Sequence, residues 1–409
     1  MRSWRIVHSW SELTEGNGVS SQSSIGDALQ RGKVGRRAFL EFCTSLMVAA
    51  PFGLTLTNHV HAEEVAAALK KARRPSVIWL HFQDCTGCTE TLLRTSQPDV
   101  GTLIFELISL DYHETLMAAS GEDAERALHD AMAANDGKFV LVVEGSIPRG
   151  QAGQYMTVAG KTAIQMLNEV APHAAAIVAI GSCAAWGGIP SAEPNPTDAT
   201  GVDSVFSGKP IVNIPGCPPN PYTFLATVLE YAVYGKLPEL DDKRRPKFAF
   251  DQTIHDNCPR RGHFDAGEFA HAFGDEGHRK GHCLYKLGCK GPDTHAGCAT
   301  RHFNEVVNAW PIGIGAPCVG CTEQHVAFRQ PMFALAQIHR ARPATTYPPV
   351  EAPQGVAHPV ATGLVGLAVG AVAGATYVAS KHFSVARWSE TRDGRPSMPP
   401  PARDEEPKS

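Results

Sequence analysis

Short runs of apolar residues recur along the first half of the chain, with few polar residues inside them. They lie at Ser76–Leu80, Leu103–Ile108, Phe139–Val143, Ala175–Ile180 and Pro210–Ile214. Runs of this length without strict alternation are typical of strands buried on both faces of a parallel sheet. The pattern therefore predicts that all of them are strands of one sheet.

Helical stretches are predicted between these strands, at Glu122–Ala134, Thr162–Val170 and Tyr222–Tyr234. Alternation of strands and helices predicts an α/β fold over residues 63–245, with a doubly wound, flavodoxin-like parallel sheet. No Walker or GxGxxG motif accompanies the strands, so we do not expect a nucleotide ligand.

Cysteines follow three of the predicted strands. Cys85 and Cys88 come after the first strand, in a CTGC sequence that leads into a helix start, while Cys183 and Cys217 follow the last two strands. Open α/β sheets bind ligands at the carboxyl ends of their strands, and a helix N-terminus adds positive potential there. We expect the four thiolates to converge at this edge. They match the ligands of a [4Fe–4S] cluster and equally those of an all-cysteine zinc site.

Residues 246–339 differ in character, because regular periodicity fades while Cys, His, Gly and Pro become dense. A segment with so few core-forming residues needs another source of order, and bound metal can supply it. The candidate ligands are His255, Cys258, Cys283, Cys289, Cys298, Cys318 and Cys321. They suffice for one site of four ligands and one of three. The other histidines, such as His263, His271 and His302, are interpreted as surface or hydrogen-bonded side chains.

The N-terminus predicts export. Arg36 and Arg37 form a twin-arginine signature, an apolar stretch follows at 42–56, and Ala62 ends a small-residue cleavage site. We predict a signal peptide over residues 1–62, whose removal would take Cys43 with it. The twin-arginine route carries folded proteins, so a cofactor could be loaded before export.

Composition narrows the interpretation. The 409 residues carry a net charge of −4 and are 43% hydrophobic, which is typical of a globular protein with two or more domains and gives no reason to expect nucleic acid as a partner. The count of eleven cysteines is unusual. In an exported protein the cysteines outside the signal could pair as disulfides. Disulfide-rich scaffolds are small and lack large apolar cores, however, so metal ligation is favoured.

The C-terminus predicts a membrane anchor. A proline-rich linker at 340–358 leads to an apolar, charge-free segment at 359–380, which is long enough to cross a bilayer as a helix and is interpreted so in preference to a core helix. Lys381 and Arg387 follow, so the positive-inside rule places the tail at 381–409 in the cytoplasm, where we expect disorder. The main body would lie on the periplasmic side of the bacterial inner membrane.

Together these features resemble the small subunit of membrane-bound, periplasm-facing (group 1) [NiFe] hydrogenases. The resemblance covers the signal, the CTGC segment, the body to about Arg329 and the anchor. The matching runs are Asp111–Met117, Pro194–Thr197, Gly216–Asn220, His255–Cys258 and Cys283–Pro292.

The resemblance implies three iron–sulfur clusters. A proximal [4Fe–4S] cluster would be held by Cys85, Cys88, Cys183 and Cys217, a distal [4Fe–4S] cluster by His255, Cys258, Cys283 and Cys289, and a medial [3Fe–4S] cluster by Cys298, Cys318 and Cys321. Pro311 stands where a fourth medial cysteine would be needed. Oxygen-tolerant relatives carry two further cysteines where this chain has Gly87 and Gly188, which implies a conventional proximal cluster and inhibition by oxygen.

The function implied by the resemblance is electron transfer. The resemblance implies that hydrogen would be split at the Ni–Fe site of a large subunit and not by this chain alone. Electrons would pass from the proximal to the medial to the distal cluster, and on to a membrane cytochrome b and the quinone pool. We expect a heterodimer or a dimer of heterodimers, attached to lipid by the C-terminal helix. Two alternatives remain: a cluster-bearing subunit related to respiratory complex I, and an exported zinc- or disulfide-stabilised binding protein.

Overall fold

A computed structural model describes residues 24–25, 70–96, 98–303 and 306–338. Its centre is a parallel sheet of β1 (Ser76–His81), β2 (Ser109–His113), β3 (Val140–Glu144), β4 (Ala176–Ile180) and β5 (Ile211–Ile214). In space these strands follow the order 2-1-3-4-5, which is the order of flavodoxin-like doubly wound sheets. The predicted α/β fold with a parallel sheet is confirmed.

Helices cover both faces of this sheet. They are α1 (Gly87–Leu93), α2 (Glu122–Ala134), α3 (Ala163–Val170), α4 (Gly181–Trp186) and α5 (Pro221–Tyr234). Trp79 of β1 belongs to the apolar core shared with α1 and α5, whereas the next residue, Leu80, belongs to the core shared with α2 and α3. Successive residues of a strand point to opposite faces. A strand covered on both sides is therefore apolar throughout, which explains the uninterrupted runs in the sequence.

One predicted strand is wrong. Residues Leu103–Leu107 form a π-helical turn that continues the short helix Val100–Thr102, and β2 begins only after it. Leu103 and Leu107 are buried, whereas Phe105 is 57% exposed. Burial of residues four apart is a helical pattern, but a run this short is too brief for periodicity to separate a helix from a strand.

Regular structure is sparse in the described residues after 245, as the sequence predicts. Short helices lie at Lys247–Phe250, Arg261–Asp265, Glu276–Arg279 and Cys298–Arg301. Turns of 3-10 helix occur in both parts of the chain, at Gly150–Gly153, Ala171–His173, Ile189–Ser191, Val202–Ser204, Ile254–Asn257, Tyr285–Leu287 and Gly291–Asp293. Two short antiparallel pairs join Ile147–Pro148 to Ala199–Thr200 and Thr157–Val158 to Lys161–Thr162.

The second part of the chain has its own small core and packs against the sheet part. Cys258, Cys289 and Cys318 are members of this core, so cysteines occupy positions that aliphatic side chains fill in the sheet part. All described residues belong to one compact unit. Arg245 and Glu323, both buried, pair at 2.7 Å across the boundary between the two parts.

The predictions for the two ends of the chain fall almost wholly outside the described residues. Of the signal peptide at 1–62, the structure describes Ser24 and Ile25; Ile25 is fully buried and donates its N–H to the carbonyl of Ala72 at 2.8 Å. Cys43, the linker at 340–358, the anchor at 359–380 and the tail at 381–409 are not among the described residues. Within the described ranges, no helix combines the length and the apolar character that a membrane crossing requires.

Candidate metal centres

Four of the predicted ligands meet at the carboxyl edge of the sheet, and we call them the sheet-edge set. Cys85 and Cys88 follow β1, Cys183 lies in α4 directly after β4, and Cys217 follows β5. Burial, the charge of Glu144 and the charges of the other three thiolates raise the pKa of Cys88 well above its usual value. Interactions of this kind require the sulfur atoms to lie near one another. Cys85 and Cys217 are exposed, so the set opens to the surface.

A glycine keeps the space beside one of these sulfurs clear. Gly181, where β4 ends and α4 begins, has a φ of +82°, and a Cβ atom there would lie 2.5 Å from the sulfur of Cys88. Glycine adopts this backbone without strain and leaves the sulfur accessible. The N–H of Cys88, in the first turn of α1, donates to the carboxylate of Glu144 at 2.9 Å. The ligand-bearing turn is thus held in place by a strand that carries no ligand itself.

A polar network that the sequence did not predict lies next to the sheet-edge set. His81, His113 and Glu144 are the last residues of β1, β2 and β3, which are neighbours in the sheet. Glu144 is 1% exposed and accepts hydrogen bonds from the indole of Trp79 at 3.1 Å and from the hydroxyl of Thr89 at 2.6 Å. Burial, together with the charge of His81, lowers the pKa of His113 to about 3. One signal was available in the sequence, since His81 and Glu144 each directly follow an apolar run.

A second group of predicted ligands, which we call the pocket set, lines a pocket in the second part of the chain. Its members are His255, Cys258, Cys283 and Cys289. Burial raises the pKa of Cys258 to about 12 and that of Cys283 to about 11. Burial also lowers the pKa of His255 to about 4, so the imidazole is neutral near pH 7. The Nε2 atom of His255 is buried and has no hydrogen-bond partner among the described residues, a costly state unless that nitrogen binds a ligand.

The remaining cysteines form a third group, the middle set of Cys298, Cys318 and Cys321. Burial first, and then the charges of neighbouring thiolates that include Cys321 and Cys298, raise the pKa of Cys318 well above its usual value. Burial and the charge of Cys298 raise the pKa of Cys321 to about 12. These three sulfurs therefore neighbour one another. Pro311, which replaces a possible fourth cysteine, follows the buried Trp310 and offers no ligand atom in its side chain.

The middle set adjoins both of the others. The charge of Cys217, from the sheet-edge set, acts on Cys321, and the charge of Cys289, from the pocket set, acts on Cys318. Ser182, next to a ligand of the sheet-edge set, donates its hydroxyl to the carbonyl of Cys321 at 2.5 Å. The three sets thus follow one another through the described structure in the order sheet edge, middle, pocket.

The donor atoms fit iron–sulfur clusters. All ten cysteines of the described chain are free, which removes the disulfide-stabilised alternative for these residues. Four thiolates, three thiolates with one imidazole, and three thiolates are donor sets in keeping with cluster ligation. The Nε2 of His255, which has no hydrogen-bond partner among the described residues, offers a fourth donor where the pocket has three sulfurs. A structural zinc ion in the middle set would lack the fourth protein ligand that it normally has.

Two family models match the chain. The model described as NADH ubiquinone oxidoreductase, 20 Kd subunit, matches residues 85–231. The model for the C-terminal region of the NiFe/NiFeSe hydrogenase small subunit matches residues 250–334. The first match covers the sheet part from the end of β1 onwards, on which the complex I-related alternative also rests. The second covers the cysteine-rich part and favours the hydrogenase interpretation over that alternative.

Relatives match most of the chain. Hydrogenase-2 small chain of Escherichia coli (strain K12) is 47% identical over 363 residues, which cover 88% of this chain and 96% of that protein. Periplasmic [NiFe] hydrogenase small subunit 1 of Nitratidesulfovibrio vulgaris is 48% identical over 299 residues, or 73% of this chain and 92% of that protein. The structure of a reduced, active Ni-Fe-Se hydrogenase from Desulfomicrobium baculatum aligns with a TM-score of 0.60 and 35% identity, over 64% of this chain and 100% of that chain. The chain therefore belongs to the family of [NiFe] hydrogenase small subunits and is a subunit of a hydrogenase.

Proposed function

We propose that this chain relays electrons between the Ni–Fe site of a hydrogenase large subunit and an external acceptor. Hydrogenase small subunits carry iron–sulfur clusters and work together with a large subunit. The observation that carries the proposal is the arrangement of the ligand sets. Because the middle set adjoins both others, clusters bound at all three would form one continuous path.

The cluster assignments follow the three sets. We assign a proximal [4Fe–4S] cluster to the sheet-edge set, a medial [3Fe–4S] cluster to the middle set, and a distal [4Fe–4S] cluster to the pocket set with His255 as its nitrogen ligand. Such clusters, when bound, exchange single electrons at potentials that depend on ligands, hydrogen bonds and solvent exposure. The exposed cysteines of the sheet-edge set would face the large subunit.

Residues around the sulfurs would exclude water and donate hydrogen bonds. Cys289 and Cys318 are 7% and 5% exposed. The N–H of Gly291 lies 3.4 Å from the sulfur of Cys289, and the N–H of Gly320 lies 3.4 Å from the sulfur of Cys318. Donors near a cluster stabilise its reduced, more negative state and so raise its reduction potential. One of these donors serves the pocket set and the other the middle set.

The relay can be tested by removing a proposed ligand of the medial cluster. In the purified heterodimer, Cys298→Ala should remove the EPR signal of an oxidised [3Fe–4S] cluster and strongly reduce hydrogen-driven dye reduction. Hydrogen–deuterium exchange by the Ni–Fe site should persist, because it needs no relay. Thr300→Ala, an exposed change in the same short helix, is the control and should alter neither. Full dye reduction without the medial signal would refute the relay, and a wild-type protein without iron and labile sulfide would refute the cluster assignment.

We further propose that the acceptor is a membrane cytochrome b linked to the quinone pool, and that the chain is exported by the twin-arginine route and anchored by residues 359–380. A relative that is named periplasmic supports this location.

Truncation after residue 338 should release hydrogenase activity from the membrane into the periplasmic fraction. Arg37→Lys should leave the subunit in the cytoplasm. Copurification of the untruncated complex would identify the cytochrome, and its mass would separate a heterodimer from a dimer of heterodimers.

We also propose that oxygen inhibits this hydrogenase. A Cβ atom at Gly87 would lie 3.1 Å from the sulfur of Cys85, and one at Gly188 would lie 2.6 Å from the sulfur of Cys183. Cysteines at these two positions would therefore add sulfur next to the proximal cluster, and this chain has none there. Sustained hydrogen oxidation in air by the purified complex would contradict the proposal.

A further inference from the structure

Two imidazoles and a carboxylate form a surface cluster outside the three ligand sets. Its members are His263, Glu268 and His282, whose ligand atoms all lie within 4.8 Å of one another. Nδ1 of His263 is 2.6 Å from Oε2 of Glu268, and the rings of His263 and His282 stack with centroids 5.1 Å apart. We propose that this cluster binds a divalent transition-metal ion such as Zn²⁺.

Backbone hydrogen bonds hold the three residues together without any metal. The N–H of Glu268 donates to the carbonyl of His263 at 2.8 Å, and the N–H of Cys283 donates to the carbonyl of Glu268 at 3.1 Å. The guanidinium of Arg260 donates to the carbonyl of His282 at 2.9 Å. Two segments that are separated in sequence are thus fixed around one point, and metal binding needs only rotations of side chains.

The donor types select the class of metal. Imidazole suits zinc, copper and nickel ions, whereas calcium and magnesium prefer oxygen. Zinc sites with two histidines and one carboxylate leave the fourth position to water or another ligand. A tetrahedral zinc ion spaces its donor atoms about 3.3 Å apart. The His263–Glu268 pair is closer than this, at 2.6 Å, and all three ligand atoms lie within 4.8 Å of one another. His263 is 23% and Glu268 45% exposed, so an ion can enter directly from solvent.

An ion pair between His263 and Glu268 alone does not account for the second imidazole, that of His282. His173 and Asp136 form such a pair at 2.8 Å, and no further residue of the described chain joins them into a metal-binding group. Two positive charges oppose a cation at the proposed site, because Lys280 acts on Glu268 and the guanidinium of Arg260 contacts the carbonyl of His282. The ammonium of Lys280, however, also pairs with Glu276 at 2.7 Å, which offsets part of its repulsion.

A bound ion would act on the neighbouring electron-transfer site. His282 immediately precedes Cys283, so this consequence rests on the proposed distal cluster. Positive charge close to a cluster stabilises its reduced state. Zn²⁺ should therefore raise the midpoint potential of the distal cluster and leave that of the proximal cluster, at the far end of the three sets, nearly unchanged.

Calorimetric titration of the purified, chelator-washed heterodimer with ZnCl₂ tests the site itself. His263→Gln, Glu268→Gln and His282→Gln should each weaken zinc binding by about tenfold or more. His173→Gln, which removes an exposed histidine from an ordinary ion pair, should leave the binding isotherm unchanged. Retention of wild-type zinc affinity by His263→Gln and Glu268→Gln would overturn the proposal. These two variants decide the matter if His282→Gln disturbs cluster loading, which the visible spectrum reports.

A potentiometric EPR titration with and without Zn²⁺ then tests the consequence. A shift of the distal midpoint in wild type, and none in His263→Gln, is the expected result. Zinc binding without that shift would overturn only the electrostatic consequence. Because the calorimetric titration requires no distal cluster, failure of the zinc site and failure of the proposed relay would be told apart.

Discussion

Glu144 is a carboxylate with almost no contact with water, and four donors converge on it. They are the N–H groups of Cys88 and Thr89 at 2.9 and 3.2 Å, the hydroxyl of Thr89 at 2.6 Å and the indole N–H of Trp79 at 3.1 Å. Buried donors that lose their acceptor carry the full cost of their desolvation. A single residue of β3 thus organises the turn that bears two ligands of the sheet-edge set.

Glu144→Gln should destabilise the subunit by about 3 kcal/mol, because the amide keeps one acceptor oxygen and turns an NH₂ group towards donors. Glu122→Gln is the matched control, since Glu122 is an exposed residue in the first turn of α2 and should cost a few tenths of a kcal/mol. Thermal unfolding of the heterodimer measures both variants. Equal melting temperatures for the two would show that the buried hydrogen bonds contribute little.

The lowered pKa of His113 should make the free energy of unfolding depend on pH. Burial first, and the charge of His81 second, lower its pKa from 6.5 to about 3 in the folded chain. Between these values the unfolded chain binds more protons, so the free energy of unfolding falls as the pH drops below 6.5. The loss contributed by His113 between pH 6.5 and pH 5 should be about 2 kcal/mol.

His113→Gln should remove this part of the pH dependence, whereas the exposed His173→Gln should retain it. Melting temperatures of both variants and of wild type, recorded from pH 5 to pH 7, provide the comparison. If the melting temperature of His113→Gln depended on pH as strongly as that of wild type, groups other than His113 would cause the loss of stability in acid.

The cysteines proposed as ligands could be singled out from the sequence, because their positions relative to the predicted strands can be seen locally. Cys85, Cys183 and Cys217 each follow an apolar run closely. The roles of Glu144 and His263 could not, because their partners become neighbours only through the fold. Glu144 meets Cys88 across 56 residues of chain, and His263 meets its second imidazole through the pairing of two irregular segments.

At the scale of elements, α5 shows how a helix fixes the sheet. Phe224 is fully buried and meets the ring of Trp79 edge-on, with centroids 5.3 Å apart. Asn220 caps the helix by accepting from the N–H of Tyr222 at 3.0 Å, and its amide donates to the carbonyl of His302 at 3.2 Å in the second part of the chain. The same element therefore packs the core and links the two parts.

Phe224→Ala should lower the free energy of unfolding by about 3 to 5 kcal/mol, which is the range for a large cavity in a packed core. Phe224→Leu fills most of the space and should cost clearly less. Chemical unfolding followed by tryptophan fluorescence separates the two variants. An alanine variant as stable as the leucine variant would mean that the helix relaxes into the cavity.

Elements with a long or clearly bounded pattern could be predicted. The helix predicted at Glu122–Ala134 has the same first and last residues in the structure. A segment of this length with helical periodicity can be interpreted only as a helix. The strand predicted at Leu103–Ile108 is wrong, since a helical turn and a buried strand share its composition. For residues 246–339, the pattern of apolar and polar residues predicts only that long helices and strands are absent. The course of the chain there depends on contacts that the sequence does not display.

At the scale of the whole molecule, a buried ammonium lies between two of the ligand sets. Lys290 is 1% exposed, its N–H donates to the carbonyl of Cys318 at 2.8 Å, and its Nζ donates to the carbonyl of Ala334. Its charge interacts with Cys289 of the pocket set and with Cys318 of the middle set. A fixed positive charge in this place stabilises the reduced state of any cluster bound on either side.

Lys290→Gln should therefore lower the midpoint potentials of the medial and distal clusters by an amount on the order of tens of millivolts. The proximal cluster, two sets away, serves as an internal standard and should hold its potential. Lys286→Gln removes an exposed ammonium from the same segment, and solvent screening should keep its effect small. Potentiometric EPR titration of the heterodimer should measure the three proposed clusters separately. A uniform shift of all three would point to a general structural change, whereas a shift confined to the two clusters beside Lys290 would show that one buried charge favours electron transfer away from the sheet edge.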